Sequence, residues 1–166
     1  MNKKEFDEFL EKVFANVNTW LTFAEAKNAA NIAFVIACIA AIYSIQTVTI
    51  LLNIVVFILI VSGVLSLVTM FPQLGTKVIF KTKTTDVSNL IYFDTIKEYN
   101  VNSYLQQISQ KYFDMNAYIP TQYQLDLTKE IIYNSSLVSW KCKLFRIALV
   151  FDIIALLLLA ISVLFK

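Results

Sequence analysis

The sequence predicts a mainly α-helical membrane protein. Three transmembrane helices carry long cytoplasmic helical extensions, and a small α domain with a β hairpin lies between the second and third spans. Three observations carry this expectation. Three long runs are nearly free of charge, and each is about long enough to cross a hydrocarbon core of roughly 30 Å. Of the 166 residues, 58% are hydrophobic, above the usual share of a soluble domain. Only two glycines and two prolines occur, so few breakers interrupt long helices.

Residues 1–27 form the first segment, an amphipathic helix on the cytoplasmic side. Phe6, Phe9, Leu10, Val13, Phe14, Val17, Trp20, Leu21 and Ala24 recur at three- and four-residue spacing, with Lys and Glu on the other face. Acidic residues in its first turns and a late apolar centre do not fit a signal peptide, so the helix is expected to stay on the mature protein. No Gly or Pro separates it from the first span, 29–45, and the two are expected to form one helix.

The second span, 48–70, carries no charge and follows a very short turn, so residues 28–70 are expected to form a helical hairpin. Phe71-Pro72 then stops the helix and opens a cytoplasmic region, 71–143. Within it, Lys77 to Thr84 alternates weakly and predicts a short strand, and Asn89 to Ile96 a second strand or an extended entry to a helix. Ser103 to Tyr112 reads as a helix with Tyr104, Leu105, Ile108 and Tyr112 on one stripe. From Thr121, after Pro120, nothing breaks the chain before the third span, 144–166. One helix of roughly 45 residues, about 65 Å long, is expected.

Basic residues set the orientation. Lys3, Lys4, Lys12 and Lys27 precede the first span, Lys77, Lys81 and Lys83 follow the second, and Lys141, Lys143 and Arg146 lead into the third. The turn between the first two spans is uncharged. The N-terminus and residues 71–143 are therefore expected on the cytoplasmic side, and the C-terminus outside.

Composition excludes several functions. The chain has no histidine, which removes the commonest general base and metal ligand. Cys38 and Cys142 are too isolated for a disulfide framework or a zinc site. A net charge of +2 without a basic run gives no basis for nucleic-acid binding. No glycine-rich phosphate loop, GxSxG or HExxH occurs, and Asp94 and Glu98 read as a solvated pair. The expectation is a non-enzyme without cofactor or metal.

Two groups of residues could carry function. Tyr92, Phe93, Tyr99, Tyr104, Tyr112, Phe113, Tyr118, Tyr123 and Tyr133 crowd the region before the third span. With Lys81, Lys83, Asn89, Lys97 and Lys111 they could stack a nucleobase and grip a phosphate. Equally, they could form the core of a small extramembrane domain. The ligand candidates are Lys81, Lys83, Asn89, Tyr92, Phe93, Tyr104 and Lys111. Inside the spans, Asp152 lies about two turns into the third, where a carboxylate is expensive and tends to mark function. Asn31, Asn53 or Arg146 could pair with it, as polar glue between spans or in an oligomeric pore. Asn31, Asn53 and Ser62 are candidates beside it.

Several stretches resemble a known family. Trp20 to Ala29 looks like the W-x-x-F-A-D-x-K-A junction that opens the first span of Pycsar transmembrane effectors. Asn89 to Ile96 is similar to their N-L-L-Y-F-G-x-I segment, and Tyr104-Leu105 to the Y-L that follows. Asp126-Leu127 through Ser135 to Lys141 resembles their D-L-x-x-x-I-x-x-x-S-x-x-x-x-x-K-Y helix. The order and spacing match over roughly residues 15–160. Asp94 stands where the family usually carries Gly, and Asn28 where a small residue is common. The resemblance implies a bacterial anti-phage effector of the inner membrane. A partner cyclase would make a cyclic pyrimidine mononucleotide, cUMP or cCMP. The effector, as a homo-oligomer in the lipid bilayer, would detect it and disrupt the membrane. Two other classes remain open at this point: a membrane toxin or pore former that needs no ligand, and a membrane scaffold that binds a protein partner.

Overall fold

The computed structural model describes residues 3–44, 49–71, 89–115 and 118–164, the side chain of Val163 excepted. Five helices follow in order: α1 (Lys3–Tyr43), α2 (Ile50–Val68), α3 (Phe93–Ile96), α4 (Val101–Phe113) and α5 (Gln122–Leu164). The chain divides into two compact units. Unit 1 is Met1–Thr22 with Gly75–Trp140, and unit 2 is Phe23–Leu74 with Lys141–Lys166. The two longest helices, α1 and α5, each contribute residues to both.

As the lack of breakers predicts, the amphipathic lead-in and the first span are one helix of 41 residues, and the last helix runs for 43. Helix starts are capped locally. Thr49 caps α2 by accepting the Leu52 N–H, and the Asn100 side chain caps α4 by accepting that of Ser103 at 2.8 Å. At the start of α5, Thr121 and Gln124 cap each other: the Gln124 N–H reaches Thr121 Oγ1, and the Thr121 N–H reaches Gln124 Oε1. This T-x-x-Q capping box is a start signal present in the sequence that the expectation from Pro120 alone did not use.

The expected β hairpin is not formed among the described residues. Residues 77–84, its first strand, lie outside the described residues. Of the two readings of 89–96 the strand does not form; the segment is a turn whose extended Tyr92 leads into the short helix α3, in line with the expected entry to a helix. The reason lies in the spacing of the apolar side chains. Leu90, Phe93 and Ile96 are buried at every third position, a helical period, whereas a strand needs every second. The Asn89 side chain accepts the Ile91 N–H at 3.0 Å, and the Tyr92 carbonyl accepts the N–H groups of Thr95 and Ile96. Those bonds close a turn and leave no ladder to form. No strand occurs among the described residues.

Buried positions on α1 keep a four-three spacing along its whole length: Phe6, Leu10, Val13, Val17, Ala24, Asn28, Asn31, Val35 and Ile42. A heptad seam of this kind suits near-parallel helix packing. On α5 the seam runs through Gln124, Thr128, Ile131, Ser135 and Val138, then Lys141, Ala148, Asp152 and Ala155. Two successive three-residue steps, Ser135 to Val138 to Lys141, shift its phase where the chain passes from unit 1 to unit 2.

Unit 1 packs the N-terminal half of α1 against α3, α4 and the start of α5. Tyr104, Leu105, Ile108, Ile131 and Ile132 lie in its core. Unit 2 is built from the three helices that are long and apolar enough to cross a membrane. One part of its interior is apolar, with Val35, Ile42, Leu52, Val55, Leu59 and Ala155 in one cluster. Gly63 lets α2 approach α1 closely, since a Cβ there would lie 3.2 Å from Val35 Cγ1.

Candidate functional site

In unit 1 the aromatic candidates split into a buried and an exposed set. Tyr104 is fully buried, and its hydroxyl donates to the Leu90 carbonyl at 2.6 Å. It is a core residue that holds the 89–92 turn against α4. Phe93 is buried between two rings, 5.5 Å from Trp20 and 4.6 Å from Tyr92. Trp20 and Tyr92 keep 39% and 43% of their surface exposed. Asn89, Tyr92, Phe93 and Tyr104 are thus brought together around one turn. Lys111 lies two turns along α4 from Tyr104 and sits over the Tyr112 ring at 5.9 Å. Lys81 and Lys83 lie outside the described residues.

Beside the turn, Asp94 Oδ1 accepts both the Lys97 ammonium at 2.5 Å and the Ser139 hydroxyl at 2.7 Å. Lys97 also donates to Ser139 at 2.6 Å. Asp94, where the resembling motif usually carries Gly, therefore anchors a lysine and ties α3 to α5. The half-exposed carboxylate makes this a modest source of stability.

Burial pushes the Tyr104 phenol far above its ordinary range, helped by the nearby phenols of Tyr112 and Tyr99. A raised folded-state value means that the fold favours the neutral phenol. Its contribution is complete below the unfolded value of about 10 and is lost as pH rises beyond it. Alkaline unfolding followed by circular dichroism should therefore begin above about pH 10. Tyr104→Phe should flatten that slope while costing about 1–3 kcal/mol at neutral pH, because the buried Leu90 carbonyl loses its donor.

The polar residues of unit 2 lie mainly on the helix seams. Asn31 Nδ2 donates to Ser62 Oγ at 3.1 Å and to Ser66 Oγ at 3.0 Å, and Ser62 Oγ donates to the Ala148 carbonyl at 3.1 Å. Asn31 and Ser62 thus pair with each other and do not serve Asp152. Asn53 and Arg146 are exposed. Asp152 is 3% exposed, and neither carboxylate oxygen has a hydrogen-bond partner. None of the three partners expected for it is bonded to it.

Unit 2 also holds a charged contact between its helices. Lys141 occupies a seam position, its side chain 7% exposed, and donates to Glu25 Oε1 and to the Thr69 carbonyl, both at 2.8 Å. It thereby joins α1, the end of α2 and α5. Both charged residues stand in the resembling motifs, Glu25 at the acidic position of the junction and Lys141 at the lysine of the last helix. The seam spacing Lys141, Phe145, Ala148, Asp152 was a signal that Lys141 faces inward.

A family model described as the Pycsar effector protein domain matches residues 9–166. No curated protein and no solved structure matches the chain. The family is one of membrane effectors and not of known enzymes. The motif residues, the three apolar helices and the near-complete family match agree: the chain belongs to the Pycsar effector family, a membrane protein with the role of an anti-phage defence effector.

Proposed function

We propose that this effector senses a cyclic pyrimidine nucleotide, cUMP or cCMP made by a partner cyclase, through unit 1, and then breaches the inner membrane through unit 2. The observation that carries the sensing half is the exposed aromatic face of Tyr92 and Trp20 against Phe93, with Asn89 in the same turn and Lys97 just beyond α3. Every nucleobase offers a π face, and stacking on such rings contributes about 1–3 kcal/mol per base. Asn89 supplies amide hydrogen bonds to a base edge, and Lys97, with Lys81, Lys83 and Lys111 as further cations, supplies charge for the cyclic phosphate. Phe93 and Tyr104 act from beneath by holding the turn.

A ligand can shift a conformational equilibrium only through different affinity for its two states. Because α1 and α5 contribute to both units, they are the route for that shift. The polar seam of unit 2, Asn31, Ser62 and Asp152 with Asn53 on the outer surface, is the part that repacks, within a homo-oligomer. The N-terminus and residues 71–143 face the cytoplasm, where the nucleotide is made, and the C-terminus faces outward.

Membrane potential in cells expressing the chain tests this reading. Depolarisation with added cUMP or cCMP, absent without nucleotide and lost in Tyr92→Ala, is the expected result. Depolarisation without nucleotide would make the chain a constitutive toxin. No depolarisation with either would sink the proposal and favour a scaffold.

A further inference from the structure

Polar contacts in unit 2 form a connected file. From the Lys141 ammonium it passes to the Thr69 carbonyl at 2.8 Å, and the Thr69 hydroxyl donates to the Ser66 carbonyl at 2.7 Å. The Ser66 hydroxyl and that of Ser62 both accept from Asn31, and Ser62 donates to the Ala148 carbonyl, one turn before Asp152 on α5. Asp152 lies eleven residues beyond Lys141, about 16 Å along the helix and so about halfway across a hydrocarbon core. There the file stops. The next seam residues belong to the apolar cluster around Val35, Leu59 and Ala155.

Two buried polar groups on the helix seams that carry this file are unsatisfied. Both oxygens of Asp152 lack a donor, and so does the Oδ1 of Asn28, one turn from Asn31. Buried polar atoms without partners are costly, and native structures keep few of them. An acid at the inner end of a polar file, facing a dry plug, is the arrangement of a proton-conducting half-channel. A short apolar constriction gates such a path by excluding water.

We propose that unit 2 is a proton pathway gated at its apolar cluster, with Asp152 as the proton-carrying group. This rests on the membrane-breaching reading above and names what crosses. On activation, water enters between the plug and the file. One Asp152 oxygen takes a proton from a hydronium ion on one side, leaving water. The carboxyl then gives a proton to water on the other side, so the side chain returns unchanged and one proton has crossed. A proton suits the path better than a metal ion, because the file's side chains touch directly at 3.0–3.1 Å. A hydrated ion would have to push them apart, whereas a proton needs only a thread of water.

The test uses the full chain in liposomes holding a pH-sensitive dye, a potassium-sensitive dye and the larger dye calcein. A pH gradient is imposed, and cUMP or cCMP is added. Lys141→Met, which frees the mouth of the file, provides a trigger that needs no nucleotide. The expected result is proton entry with potassium and calcein retained, slowed about tenfold or more in Asp152→Asn, equivalent to at least about 1.4 kcal/mol on the barrier. Circular dichroism confirms that this variant remains helical. Calcein or potassium moving as fast as protons would overturn the proton pathway and leave membrane breach standing. Proton entry unchanged in Asp152→Asn would also overturn it. No flux of any species, in the wild type with either nucleotide or in Lys141→Met, would overturn both readings.

Discussion

Asp152→Leu is expected to yield a protein that is harder to unfold and no longer arrests growth. In the wild type a carboxyl group sits 3% exposed with both oxygens unpartnered. An apolar side chain of similar size removes that penalty and extends the cluster of Val35, Leu59 and Ala155 by one turn. Burying a polar group without a hydrogen bond costs about 1–3 kcal/mol in proteins, and a packed apolar replacement avoids that cost. Thermal unfolding in detergent should show the gain, and viable counts after induction with nucleotide should show the loss of arrest. The two effects belong together, since a functional group is often retained at a cost in stability. A variant both less stable and inert would mean that Asp152 is only structural glue. One that still arrests growth would remove it from the mechanism.

Breaking the ion pair at Lys141 should act in the opposite direction. Glu25→Ala leaves an ammonium 7% exposed with the Thr69 carbonyl as its remaining acceptor. An unpaired buried charge costs about 3 kcal/mol, enough to shift a two-state population roughly a hundredfold. On the function proposed above, the paired arrangement is the resting one and carries that cost, so Glu25→Ala should arrest growth without nucleotide. Lys141→Met should do so more weakly, because the Glu25 side chain it leaves behind is 48% exposed and can be hydrated. The double variant should lie closer to Lys141→Met than to the sum of the two, since it contains no stranded charge. Simple additivity in a double-mutant cycle would show that the pair is not a lock. Arrest that still requires nucleotide in Glu25→Ala would show the same.

What was legible in the sequence was local in origin. The merging of lead-in and span in α1, and the length of α5, follow from an absence of breakers that any window along the chain reveals. Asp152 stood out because one carboxylate in an apolar run is visible without a partner. The turn at 89–92 was harder. Ile91, Tyr92 and Phe93 favour a strand by type, while the three-residue spacing of Leu90, Phe93 and Ile96 favours a helical turn, and burial decided between them. Tyr104 looked like a ligand candidate because an aromatic ring serves a core and a binding face equally well by composition. The Glu25–Lys141 pair was least accessible, because its members are 116 residues apart. Lys141 was counted among the basic residues that orient a span, and only its inward seam position reveals its other role.

The placement of Asn28 and Asn31 on the seam of α1 bears on how the chain enters the bilayer during synthesis. The apolar stretch of α1 is the least hydrophobic of the three, and its polar seam would face lipid if it entered by itself. Ser62 and Ser66, which receive the Asn31 amide, belong to the helix made next. Insertion as a pair, with α2 leaving the translocon beside α1, satisfies the amide at once. With α1 and α2 as the first two spans, as proposed above, the first depends on the second, and a nascent chain cut short before Ser62 is expected to hold its first helix in the membrane poorly.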